Sequence, residues 1–381
     1  MSAMTHRERV LRAVSLKEPD RAPMDLGSHM NSSIHISAYQ KLKEYMGIKI
    51  DQTPPLVSKM MQDVLVDEPV LKALDTDTRG VYHGGPEKSP AYDDGNIWVD
   101  EWGVKRIKPD GAHYYDLVSP APLAGNISLS DISNYPWPDP SDPGITKGLK
   151  ERVKHLRETT DCALVLNLPS AFVHQSQYMR GFEDWFMDLA GNQRIAEALF
   201  DACLEVRMGC GARILDEVGQ DVDIILTADD MGTQQALQFS PATYRKLFKP
   251  RHKKYWELIR SKTSAPLMLH SCGDVHSILN DLIEIGIQIL NPVQTRAVGM
   301  DPVYLKKEFG SRLAFWGGMD IQHVLPFGSP DDVRAEIKQL WETLGRGGGW
   351  VVCPSHNIQP EVPPENIVTM YRDAPQLTRY S

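Results

Sequence analysis

From residue 150 onward the chain keeps a regular beat, and that beat limits its folds more than any other feature. Short apolar runs recur at Ala163–Leu168, Asp223–Ala228, Pro266–His270, Ile289–Val293, Leu313–Trp316 and Trp350–Cys353. Between most of them lies a stretch with apolar residues at helical spacing: Asn192–Val218, Pro241–Arg260, Val275–Ile285 and Pro330–Leu344. Short continuous apolar runs separated by amphipathic helices predict parallel strands covered on both faces. Two earlier runs, Ala22–Gly27 and the weaker Thr76–Tyr82, complete a set of eight. The expectation is therefore an α/β chain folded as a (β/α)8 TIM barrel with a large insertion after strand 1. An open doubly wound sheet is the rival, but no glycine fingerprint follows the first run.

Residues 1–381 read as a single barrel domain, with about 28–160 an elaboration covering the barrel mouth. Within that stretch, Asp94-Gly95 to Ala112 predicts a β-ribbon carrying Trp98 and Trp102, and Pro136, Pro138, Pro140 and Pro143 mark a loop. A helix from Thr5 to Val14 opens the chain, with Glu8 placed three residues after Thr5 for a capping box.

Composition excludes several classes. The 41 basic against 50 acidic residues leave a net charge of −9, which argues against a partner rich in phosphates such as nucleic acid. No run approaches the ~18 apolar residues of a membrane span, and the first residues lack an apolar signal core. Five scattered cysteines predict reduced thiols in a cytoplasmic protein, so the sequons at Asn31 and Asn126 are chance matches.

Barrel chemistry sits at the C-terminal strand ends. Those ends offer Asp25, Arg79, Asn167, Asp229, Asp230, His270, Cys272, Asn291, Gln294, Trp316, Cys353 and His356. Solvation explains a polar residue at any one of them, but not the His270-Ser-Cys272 step. Strand side chains alternate, so Met268, His270 and Cys272 share one face while Leu267 and Leu269 take the other. Imidazole and thiolate on one face are half a zinc site, and Cys353 or His356 could complete it. Asp229-Asp230 closes another strand and reads as an acid/base pair, with an acidic helix cap as the bland alternative; Asp25 is a third acidic candidate. Gly347-Gly348-Gly349 precedes a strand, which predicts a turn and not a phosphate loop. Trp185, Phe182 and Phe186 lie at helical spacing and read as core, and Cys162, Cys203 and Cys210 as small hydrophobes.

These residues resemble a known family. Thr5-His-Arg-Glu-Arg-Val-Leu-Arg-Ala-Val and Glu18-Pro-Asp-Arg-Ala-Pro-Met-Asp are similar to the opening of the uroporphyrinogen decarboxylase superfamily. Leu269-His-Ser-Cys-Gly-Asp274, Phe315-Trp-Gly-Gly-Met-Asp320, Pro354-Ser-His-Asn-Ile-Gln359 and Pro363-Pro-Glu-Asn-Ile367 resemble its cobalamin-dependent methyltransferase branch. The likeness is weakest between about Ser28 and Thr160.

Decarboxylases of this superfamily carry an arginine-rich segment just after the first strand. Here Asp25-Leu-Gly-Ser-His-Met-Asn-Ser-Ser-Ile-His35 has no arginine to grip a substrate bearing many carboxylates. In the methyltransferase branch the zinc pattern is His-x-Cys with a distant Cys. His270 and Cys272 match its first half, His356 takes the distant cysteine's place, and Cys353 lies three residues earlier. A carboxylate ligand of related enzymes falls near Gln294, a neutral amide.

The resemblance implies a Zn²⁺-dependent methyltransferase that moves a methyl group between a small substrate (methyl ether, methylamine or thiol) and a corrinoid protein carrying the cobalamin. Asp25, Asp229 and Asp230 are its candidate catalytic groups. Asn167, Asn291, Gln294, Trp316 and Met30 are candidate substrate contacts. An apolar-rich mouth (Met30, Trp316, Met319, Phe327) suits a small uncharged or aromatic donor. A metal-free decarboxylase is the alternative enzyme, and a corrinoid-binding partner without chemistry is the non-enzymatic one. The sequence leaves the oligomeric state open, a homo-oligomer included.

Overall fold

The computed structural model describes residues 4–50, 52–87 and 92–380. Seven parallel strands follow one another around a curled sheet in chain order: Thr78–Tyr82, Ala163–Asn167, Ile224–Ala228, Leu267–His270, Ile289–Asn291, Ala314–Trp316 and Trp350–Val351. Residues 22–25 close the ring. Asp25 N–H donates to the Val352 carbonyl (2.9 Å) and Val352 N–H to that of Pro23 (2.8 Å), while Asp77 N–H donates to Met24 O at 2.8 Å on the other side. The sequence run Ala22–Gly27 thus serves as the eighth stave, shortened to a single bridge between Met24 and Val352.

Alternation along the strands separates two cores. Ala163, Val165, Ile224, Leu226, Met268, Ile289, Ala314, Trp316, Val351 and Cys353 pack together inside the barrel. Leu164, Leu166, Ile225, Leu267, Leu269, Leu290, Phe315, Trp350 and Val352 pack outward against the helices. The face sharing read from sequence holds for Met268 against the two leucines and for Cys353 with Val351. Helix His6–Val14, started by the Thr5/Glu8 capping box, turns Val10 and Val14 into the barrel core from the N-terminal end. Arg7 fixes it there, its Nε 2.7 Å from Asp223 Oδ1 just ahead of a strand.

The extra chain falls on both sides of the strand Thr78–Tyr82. Before it lie helix Ile36–Met46, a short hairpin and helix Glu68–Ala73; after it comes a four-stranded antiparallel sheet from Tyr92 to Leu117. The ribbon expected at 94–112 is part of that sheet, with Ile97–Val99 paired to Lys105–Ile107. Trp102 is not in strand. It sits buried in the connecting turn, edge-on to Trp137 at 6.1 Å.

Of the aromatics expected as core, Trp185 is buried, but Phe182 and Phe186 are exposed. The glycine run is a turn: Gly347, Gly348 and Gly349 all have φ near +80°, and a Cβ on Gly348 would meet the Lys17 backbone at 2.4 Å. All five cysteines are free. Among the described residues, no helix is long and apolar enough to cross a membrane.

Candidate metal centre

The strand Leu267–His270 delivers His270 to the mouth, and the turn after it delivers Cys272. Gly273, at φ +78°, lies so close to Gly232 that a Cβ would meet the Gly232 carbonyl carbon at 2.5 Å. This contact locks the Cys272 turn against the loop that follows Asp230, and Cys272 N–H donates to Asp230 Oδ1 at 2.8 Å. Cys272 Sγ stands 3.3 Å from His270 Nε2. Tetrahedral zinc with ordinary Zn–S and Zn–N bonds would separate such atoms by about 3.5 Å.

His356 completes the group. One ligand atom from each of His270, Cys272 and His356 lies within 4.8 Å of the others. Each histidine is aimed by an asparagine. His270 Nδ1 is 2.6 Å from Asn291 Oδ1, and Asn291 in turn donates to Trp316 O at 3.1 Å. His356 Nδ1 pairs with Asn357 Oδ1, and Asn357 donates to Asp63 Oδ1 at 2.8 Å. Both pairs occupy Nδ1, as outer partners of metal-bound histidines do, so Nε2 is the nitrogen that would face an ion. Asn31 reaches over the top and bonds to His270 Nε2.

Electrostatics suit a cation. Burial drives the His270 imidazole down to about 3, partly offset by Asp230, and lowers His356 as well, so both rings are neutral donors at pH 7. Burial also lifts the Cys272 thiol well above its ordinary value, an effect that a bound cation reverses. The donor set, two imidazoles and a thiol, fits zinc or a similar borderline ion and does not fit magnesium or calcium.

Asp229 and Asp230 part company because neighbouring residues point apart. Asp230 faces the mouth, 3.7 Å from His270 Nε2 and 3.4 Å from His174 Nε2. Burial alone would raise its pKa, but His174, His270 and the Cys272 N–H together hold it below the usual carboxylate range. Asp229 does not reach the mouth. Its carboxylate accepts the N–H groups of Phe172 (3.0 Å) and Val173 (2.9 Å) at the start of helix Val173–Arg180. On its other side it meets His252 Nε2 at 3.0 Å. It caps a helix, though one that follows the neighbouring strand Ala163–Asn167 earlier in the chain and not the one after Asp229 itself.

The other sequence candidates divide in the same way. Met30 stays at the rim, 41% exposed. Asn291 orients His270. Gln294 accepts from Gly273 N–H at 2.7 Å and steadies the Cys272 turn. Asn167 donates to Ser28 O at 2.9 Å and tethers the covering segment. Trp316 is buried in the barrel core, its Nε1 donating to Asp25 Oδ2 at 2.8 Å. Arg79 points away from the mouth to Glu68, 2.7 Å away, because it lies near the start of its strand. Cys353 does not join His270 and Cys272; it lies beneath them with Asp25 and His29. His174, Asn31, His29, Asn357 and Asp63 escaped sequence reading. His29 and Asn31 did stand in the arginine-free segment after the first strand, where the superfamily places its substrate contacts.

A family model described as uroporphyrinogen decarboxylase (URO-D) matches residues 117–375. The chain belongs to the uroporphyrinogen decarboxylase family. Within it, the chain is similar to methylcobamide:CoM methyltransferase MtaA of Methanosarcina barkeri, 31% identical over 172 residues, covering 44% of this chain and 46% of that protein. It is also similar to a methylated-thiol–coenzyme M methyltransferase of Methanosarcina mazei, 23% identical over 206 residues, covering 53% and 52%. A uroporphyrinogen decarboxylase of Cellvibrio japonicus is 26% identical over 165 residues, covering 40% and 44%. The chain spans about half the length of these curated relatives. A solved methyltransferase from Methanosarcina mazei shares the whole fold, with TM-score 0.67, 18% identity and 98% of each chain covered.

Proposed function

We propose that this chain is a zinc-dependent methyltransferase that moves a methyl group between a small methylated substrate and a corrinoid protein. The observation that carries the proposal is the gathering of His270, Cys272 and His356 at the mouth, three protein donors of the number and kind that catalytic zinc sites use. The named activities of the methyltransferase relatives support the same reading. The proposal takes residues 1–381 as one working unit, with the segment after Ser28 forming part of the cover.

A zinc ion at these residues supplies Lewis acidity, which acidifies a thiol or activates a methylated heteroatom. Asp230 lies beside the donors and His174 beside Asp230, so a proton at the substrate heteroatom has a carboxylate to go to and an imidazole to pass it on. Asn291 and Asn357 keep the two donor rings turned inward. Met30 at the rim suits a small uncharged or aromatic methyl donor, or a thiol acceptor, whereas Trp316 and Met319, expected at the mouth, are buried in the cores. The corrinoid is presented from outside at the same mouth. A decarboxylase acting on a polycarboxylate needs cationic partners, and residues 25–35 supply none.

The test is elemental analysis of the purified chain together with methyl transfer. Zinc near one equivalent or more is expected, with methyl transfer from a donor panel to cob(I)alamin or from methylcobalamin to thiols. Cys272→Ala is expected to lose both the mouth zinc and turnover while staying folded. A variant that keeps its full zinc and its rate overturns the proposal.

A further inference from the structure

Beneath the mouth site lies a second set of donors that shares no residue with it. Asp25, His29 and Cys353 are all completely buried, and one ligand atom from each lies within 4.8 Å of the others. His29 Nε2 stands 3.5 Å from Asp25 Oδ2, and Cys353 Sγ stands 3.7 Å from that same oxygen. We propose that Asp25, His29 and Cys353 form a second cation site, which takes a borderline divalent ion of the zinc type one layer below the first. This does not rest on the function proposed above.

Three observations lead to it. First, neither ring nitrogen of His29 has a hydrogen-bond partner, although the residue is fully buried; Ser28 Oγ and Asn167 Oδ1 beside it are likewise without one. An orphaned buried polar group costs about 1–3 kcal/mol, and native interiors keep few without a reason such as an ion. Here they gather on one wall of the barrel top, where Asn167 holds Ser28.

Second, Asp25 is aimed as metal-binding carboxylates are. Thr78 Oγ1 donates to Oδ1 at 2.6 Å, Ser28 N–H to the same atom at 3.2 Å, and Trp316 Nε1 to Oδ2 at 2.8 Å. Tyr371 clamps the backbone by donating to Asp25 O at 2.8 Å. These contacts fix the carboxylate, and the remaining Oδ2 lone pair accepts from the Cys353 thiol, which would give up its proton to an ion.

Third, charge and donor type agree. One carboxylate, one thiolate and one neutral imidazole balance a divalent ion in an interior that would not otherwise tolerate two adjacent anions. Sulfur and nitrogen donors select against calcium and magnesium. The His29 and His270 rings, one from each group, lie 6.4 Å apart between centroids.

The experiment is metal stoichiometry on the full chain, produced with zinc and again with cobalt, in the wild type and in Cys353→Ser, His29→Gln and Cys272→Ser. Two ions per wild-type chain are expected. Cys353→Ser and His29→Gln should each hold one, and Cys272→Ser should hold one. With cobalt, the thiolate charge-transfer absorption should fall by about half in Cys353→Ser and by the complementary half in Cys272→Ser.

Circular dichroism confirms folding, and if Cys353→Ser does not fold, the gentler His29→Gln decides. A wild type with one ion that survives both Cys353→Ser and His29→Gln overturns the inner site and means that water fills it. A single ion lost in those two variants but kept in Cys272→Ser upholds the inner site and removes the outer one.

Discussion

The two ends of this barrel handle buried polar groups in opposite ways. At the floor, Asp77 is fully buried, and each of its oxygens is matched: His6 Nδ1 at 2.7 Å, Arg9 Nη1 at 2.6 Å, Arg21 Nη1 at 2.7 Å and Met24 N–H at 2.7 Å. Toward the mouth, neither His29 nitrogen has a hydrogen-bond partner, His270 is neutral and touches a thiol, and Asp230 is held by two histidines and the Cys272 N–H. Saturation at one end holds the ring closed, since Asp77 ties the first helix to the stave at residues 22–25. Incomplete pairing at the other end leaves donors free for a ligand. A fold of this kind concentrates its stability and its chemistry at opposite ends of the same strands.

Three measurements test that contrast. The largest effect belongs to the floor. Asp77→Ala removes the fully buried partner of Arg9 and Arg21 and leaves them only the more exposed Asp20 and Asp75, and a loss of about 3 kcal/mol is expected. A urea titration reads it, and zinc bound per folded chain should not change. If stability survives while zinc is lost, the division of labour between the ends is wrong.

Next comes the acidic pair, which puts both behaviours on adjacent residues. Asp230→Asn should lower turnover by roughly a hundredfold or more with little change in stability or zinc. Asp229→Asn should instead destabilise the chain by about 1–3 kcal/mol, because the helix cap and the His252 pair both weaken. Unfolding curves and turnover on the two variants should give mirror-image results.

The smallest effect is the floor's response to pH. The hydrogen bond to Asp77 raises the His6 pKa above its ordinary value. His6 therefore contributes stability in full below about pH 6.5, and that contribution is lost as the pH climbs through the raised folded value. Burial would raise the Asp77 carboxyl, but His6, Arg21 and Arg9 overrule it and hold it low. Its contribution is present above the unfolded value of about 3.9 and vanishes as the pH falls through the folded one. Urea midpoints across pH should show both slopes, and His6→Asn should remove the alkaline one.

Much of the scaffold was legible because strand alternation is a local rule. It assigned Met268 against Leu267 and Leu269, paired Cys353 with Val351, and brought His270 and Cys272 to one mouth. The same rule, applied one step further, separates Asp229 from Asp230, and reading them as a pair missed that. Cys353 and His356 were both possible third donors from spacing. The turn between them decides, because it lifts His356 to the level of Cys272 and leaves Cys353 one layer lower.

Asn31 and His29 were beyond local reasoning. They reach the site only because residues 28–35 fold back over it, held by Asn167 from a distant strand. Asn291 looked like a substrate contact because nothing local shows that its amide is taken up between His270 and Trp316.

Val10 and Val14 fill the bottom of the barrel, so the vessel is a blind cup and not a tube. A small molecule that enters must leave by the same rim. On the function proposed above, donor and acceptor would then have to take turns at one doorway, and the order of arrival and departure would become part of the cycle.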